Sequence, residues 1–191
     1  TQAADVGPTD TFELGATYTQ SGAFTAYAVV GLSTADIIAN PKMGMLFQGS
    51  ASTLQGQTYM FIDAFDNNNF KFKFKLEKGD FVKAPSPAPI LQINKPTDTM
   101  RTAYVFVIRR DAASNISVYD NSGSLVAVAP ANTEGYQRTD GDIVFDHIGN
   151  GGFDEKFQGN VARLGIIAKD IGTSACSTLA KDLAKKYTPL S

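Results

Sequence analysis

Apolar and charged residues alternate without a break over Phe70-Lys71-Phe72-Lys73-Phe74-Lys75-Leu76. Side chains of a strand point to opposite faces with period two, so the phenylalanines and Leu76 fall on one face and the lysines on the other. A helix would scatter both sets around its axis. The stretch therefore predicts a strand, one face buried and one wet. A one-residue slip would carry the lysines into the core, so the pattern also specifies register.

Other stretches read in the same way. A short edge strand is expected near Thr11–Leu14, then strands at Phe24–Val30 and Met43–Gln48. Ser33 to Asn40 reads as one or two helical turns, with Ser33 as cap and Pro41 closing it. Thr58–Ala64 runs into the turn Asp66-Asn67-Asn68-Asn69, and Phe70–Leu76 returns as the second arm of a hairpin. The Pro-rich run Ala84 to Pro89 is a surface loop, because proline donates no ladder hydrogen bond. Ile90–Asn94 follows as a strand.

Ala103–Ile108 is apolar at every position, which predicts a strand covered on both faces. Asn115–Tyr119 and Leu125–Ala129 flank the hairpin turn Asp120-Asn121-Ser122-Gly123. Ile143–Phe145 and Val161–Ala168 are the last strands. Residues 174–187 change character: Leu179, Leu183 and Tyr187, with Ala180 and Ala184, form one helical stripe that Pro189 ends. About ten short strands separated by turn signals predict an all-β fold, a two-sheet antiparallel sandwich. No repeat or boundary divides residues 1–191, so a single domain is expected.

Composition narrows the function. Of 191 residues 43% are hydrophobic and 19% charged, which suits a globular chain. No apolar run reaches the ~18 residues of a membrane span. A net charge of -2 argues against a nucleic-acid partner. A single cysteine, Cys176, excludes an internal disulfide and a Cys-rich zinc site.

From Ala103 onward the order of features is more specific. A buried strand ends in Arg110-Asp111. Ile116-Ser117-Val118-Tyr119, a Gly turn and Leu125-Val126-Ala127 follow. Phe157-Gln158-Gly159 then leads into Val161-Ala162-Arg163-Leu164-Gly165-Ile166, and a helix closes the chain. This resembles the laminin-G-like branch of the concanavalin A-like lectin/glucanase superfamily, of the kind found in phage virion proteins. Two departures are a turn one residue longer than usual at Tyr119–Gly123 and a longer terminal helix. The resemblance implies a jelly roll that recognises glycans on a virion surface, or in an extracellular setting. Its alternative is a purely structural capsid decoration that binds only other virion subunits. Homo-oligomers fit either.

Candidate chemistry is sparse. Hydrolases of that superfamily carry E-x-D-x-E on one strand. Here Glu13, Glu77 and Glu134 are isolated, and adjacent Asp154 and Glu155 would point to opposite faces of a strand. No enzyme is expected. His147 and Cys176 read as structural groups. No cofactor is required. Calcium is the one metal the residues invite, through Asp63, Asp66 and Asn67 or through Asp140, Asp142 and Asp146. The lysine stripe suits an anionic glycan or partner, or else is a solvated face. With no Trp, the sugar-site candidates are Tyr136, Arg138 and Asp140, with Asn67, Asn69, Tyr119 and Asn121 behind them.

Overall fold

The computed structural model describes residues 4–6, 11–20, 22–33, 45–48, 58–65, 71–78, 90–92, 102–113, 115–129, 143–149 and 159–187. They form twelve strands and one helix: β1 Ala4–Val6, β2 Thr11–Gln20, β3 Phe24–Leu32, β4 Met45–Gln48, β5 Thr58–Phe65, β6 Lys71–Lys78, β7 Ile90–Gln92, β8 Thr102–Arg110, β9 Ile116–Tyr119, β10 Leu125–Ala129, β11 Ile143–Gly149, β12 Gly159–Ile167 and α1 Thr173–Tyr187. The strands build two six-stranded antiparallel sheets, in the orders β1-β12-β3-β8-β9-β10 and β2-β11-β4-β5-β6-β7. This is the expected all-β sandwich. Pairing is nested, with early strands beside late ones: β1 with β12, β2 with β11, β3 with both β8 and β12.

Several boundaries differ from the sequence expectation. The strand at Thr11 is an edge strand, as expected, but runs on to Gln20. β1 was not expected, since three residues carry no readable period. The helical turns expected over Ser33 to Asn40 lie, beyond Ser33, outside the described residues, as does the turn Asp66 to Asn69.

The first sheet shows why β8 is apolar throughout. Tyr104 through Ile108 are all buried. Val105 and Val107 share a cluster with Val29, Tyr119 and the helix residues Cys176, Ala180, Leu183, Ala184 and Tyr187. The alternate positions Tyr104, Phe106 and Ile108 are buried on the other face, with Phe24, Ala26, Ala28 and Val30 from β3. The second cover of this strand is therefore α1.

The helix turns small residues toward the sheet. Cys176, Ala180 and Ala184 lie along the centre of its buried stripe, with Leu183 and Tyr187. Short side chains let a helix axis approach a sheet closely. Leu179, expected in the stripe, is instead at its margin. The cysteine is fully buried, and desolvation pushes its thiol pKa up while the Thr25 hydroxyl pulls the other way. It acts as a small apolar residue.

Polar contacts fix the start of the helix. Arg109 donates from Nε to Asp170 Oδ1 at 2.6 Å and from Nη2 to Oδ2 at 2.5 Å. Asp170 Oδ1 also accepts from the Gly172 amide at 2.7 Å. The buried Thr25 hydroxyl donates to Lys169 O at 3.2 Å and accepts from the Ile171 amide at 3.4 Å. The first helical hydrogen bond runs from Cys176 N to Gly172 O, so the helix begins just before the expected Ser174.

Candidate functional site

The register of the second sheet brings together residues that the sequence leaves apart. Across β5 and β6, Tyr59 pairs with Glu77, Phe61 with Lys75, Asp63 with Lys73 and Phe65 with Lys71. Gln48 of β4 pairs with Tyr59, and His147 of β11 pairs with both Gln48 and Glu13. Directly paired residues belong to one face of a sheet. The lysine positions of β6 thus share a face with aromatic and polar positions of β5, and one row crosses five strands as Glu13, His147, Gln48, Tyr59 and Glu77.

This set combines the aromatic positions Tyr59, Phe61 and Phe65, the three lysine positions, Gln48 and His147, and the acidic positions Glu13, Asp63 and Glu77. Sequence reasoning missed the β5 half. The signal was present in hairpin arithmetic: a turn that pairs residue 65 with 71 also pairs 63 with 73 and 61 with 75. Glu13 and Glu77 stand four strand spacings apart, roughly 19 Å, against a limit near 10 Å for an acid–base pair.

The predicted site residues scatter. Tyr119 is 2% exposed and packs in the cluster beneath α1. Asn121 is committed to backbone: its Oδ1 accepts from Val105 N at 2.6 Å and its Nδ2 donates to Ala103 O at 2.9 Å. The β8–β9 ladder ends at Val107 and Tyr119, and this side-chain amide continues it for one more step. Tyr136, Arg138, Asp140, Asp142, Asp66, Asn67 and Asn69 lie outside the described residues. Asp63 is directly opposite Lys73, and Asp146 lies at a register shift between Phe145 and His147. Among the described residues no group of three or more His, Cys, Asp or Glu could hold a metal ion. No helix among them is long and apolar enough to cross a membrane.

No family model matches the sequence, and no curated protein matches it. Solved structures do match by shape. The CBM40 carbohydrate-binding module of the Ruminococcus gnavus IT-sialidase superposes with a TM-score of 0.64 at 12% identity, over 94% of this chain and 97% of that one. The same module bound to α2,3-sialyllactose gives 0.65 at 11% identity, over 94% and 96%. A variant of the NanB sialidase from Streptococcus pneumoniae gives 0.63 at 11% identity, over 92% of this chain but 27% of that one. At such identities the likeness establishes the all-β sandwich fold. The laminin-G and phage parts of the sequence resemblance are not touched by it.

Proposed function

We propose that this chain is a non-catalytic carbohydrate-binding module, and that it takes an acidic glycan of the sialyllactose kind on the lysine-bearing face of the second sheet. One observation carries the reading. The chain and an isolated carbohydrate-binding module cover each other almost completely, whereas a whole sialidase is covered over 27%.

The chemistry of the face agrees. Phe61, Phe65 and Tyr59 positions offer rings of the kind that stack on the apolar side of a sugar. Asp63 between them suits a pair of hydroxyls. The positions of Lys71, Lys73 and Lys75 bring positive charge to the same face, which suits a carboxylate. The Phe/Lys alternation of β6 is the reason to expect the lysine-bearing face in water. Asn67 and Asn69 belong to the segment joining β5 to β6, at one end of the same hairpin. Tyr136, Arg138 and Asp140 remain the loop candidates.

Titration with α2,3- and α2,6-sialyllactose, with lactose as the neutral control and EDTA in a parallel arm, tests the proposal. Binding of the sialylated sugars alone is expected, weakened about tenfold by Lys75→Ser through loss of one charge-assisted contact. Failure to bind any glycan sinks it. Loss of binding in EDTA would add calcium at one of the two candidate sets. The setting carried forward from the sequence resemblance is a virion surface; stable incorporation into particles without glycan binding would favour the capsid-decoration alternative.

A further inference from the structure

Two rows of positions cross the second sheet side by side. One is Glu13, His147, Gln48, Tyr59 and Glu77. The other lies one residue along: Phe12 pairs with Ile148, and Phe47 pairs with Met60, which pairs with Leu76. Successive residues of a strand alternate between faces. The apolar row therefore marks the face toward the first sheet, and the polar row falls on the face with the lysine positions. Five strands agree on this, so the assignment does not rest on β6 alone. The ladders are also interrupted on both sides of His147. One register shift lies between Phe145 and His147, where β11 meets β2, and another between Met45 and Phe47, where β4 meets β5. The β5–β6 and β6–β7 ladders carry no shift. Irregularities of this kind re-aim side chains and gather beside functional sites.

We propose, resting on the glycan reading above, that His147 is a ligand contact on that face, one whose imidazolium form draws the acidic group of the sugar toward the sheet. The charged positions of the face are otherwise balanced. Across the described strands Lys71, Lys73 and Lys75 of β6 meet Glu77 of β6, Asp63 of β5 and Glu13 of β2. The neighbouring strand β4 brings Gln48, and β7 brings Ile90 and Gln92, none of them charged. Asp146 lies at the register shift itself, and Tyr18 is paired with Phe145. Carboxylates ordinarily titrate near 4, lysine and tyrosine at about 10 or above, and imidazole near 6.5. Between pH 5.5 and 7.5 His147 is therefore the one of these positions that changes charge, and it is the only histidine in the chain. Gaining a proton tips a balanced face to net positive and gives the imidazole a second N–H donor. The sequence suggests a structural role for His147; a row that is polar at all five positions, with a register shift on either side, gives it a binding one.

The test is calorimetric titration of the full chain with α2,3-sialyllactose at pH 5.5 and 7.5, with lactose as the neutral control, joined to proton NMR of the imidazole. Sialyllactose should bind about threefold tighter at pH 5.5, the worth of one exposed charge contact. Lactose should show no such gain. As the only histidine, His147 supplies the only imidazole signals, so wild-type protein suffices to follow them. Their titration midpoint should move upward when sialyllactose saturates the protein, because the coupling between proton and ligand is reciprocal. His147→Gln should bind sialyllactose equally at the two pH values. Wild-type affinity that is flat with pH, an imidazole midpoint unmoved by saturating sugar, or a pH dependence that survives His147→Gln would each overturn the proposal. Absence of binding at both pH values would overturn the glycan reading along with it, whereas failure of the His147 role alone leaves binding intact and flat with pH.

Discussion

The ring of Tyr27 lies over Gly165, its partner across the β3–β12 ladder. A β-carbon at residue 165 would overlap the far edge of the ring and its hydroxyl. The pair is a lock between strands: glycine supplies no side chain, and the ring fills the gap. Gly165→Ala should lower stability by about 1–3 kcal/mol, the range for overpacking. The overlap disappears with the ring, so Tyr27→Ala and Gly165→Ala together should cost less than their sum. A double-mutant cycle by urea unfolding measures this, and an additive result would show that the ring is not the obstacle.

Gly123 carries two constraints at once. Its φ is +72°, and it closes the β9–β10 turn by donating to Asp120 O at 2.8 Å. A β-carbon there would also come within 2.6 Å of Ser177 O and 2.7 Å of Lys181 Cε on α1. Gly22 has nearly the same φ, +69°, with nothing nearby. Gly22→Ala should therefore cost only the left-handed penalty, about 1 kcal/mol. Gly123→Ala should cost clearly more, because the turn must also withdraw from the helix backbone. Thermal melts of the two variants give the comparison.

Asn121 separates a structural role from a binding one. Truncation to Ala strands the Val105 amide and the Ala103 carbonyl, at a cost of about 1–3 kcal/mol. Glycan titrations of the folded variant should match wild type. A variant of normal stability that no longer bound sugar would restore Asn121 to the ligand site.

Asp170 should make the fold acid-sensitive. The Arg109 hydrogen bonds hold its carboxyl pKa below the ordinary aspartate value. A group depressed in the folded state binds its proton more weakly there than in the unfolded chain. Its contribution is therefore full above the unfolded value of roughly 3.9 and is lost as pH falls through the lower folded value. Asp170→Asn should lose about 1–2 kcal/mol at neutral pH and show a flatter acid limb. Urea midpoints between neutral and strongly acidic pH test this; parallel curves for variant and wild type would refute it.

Strands with a clear period, or with apolar residues at every position, were legible. The Phe/Lys alternation located β6, and the continuous apolar run located β8, including its two covers. What failed was information held between strands. Ala4–Val6 becomes a strand only because Val161, Asn160 and Gly159 lie beside it. Leu179 moves to the margin of the helix stripe because close approach to a sheet favours smaller side chains, Cys176 among them. Tyr119 suggested a sugar contact from its place in a turn motif, yet the helix that covers it is far along the chain. The aromatic positions of β5 were invisible as a site for the same reason: alternation assigns faces within one strand, and only the turn length decides which residues of the next strand join them.

Strand β3 is paired on one side with β8 and on the other with β12. On the ribosome it emerges before either neighbour, and the second arrives only after β8 to β11 have been made. A nascent chain must therefore keep an apolar strand from pairing elsewhere until β12 is made. Non-local pairing of this kind is slow to form. Strand β12 and helix α1 complete the sheet and its cover, so a chain cut before β12 should leave β3 exposed to other chains rather than yield a smaller folded protein.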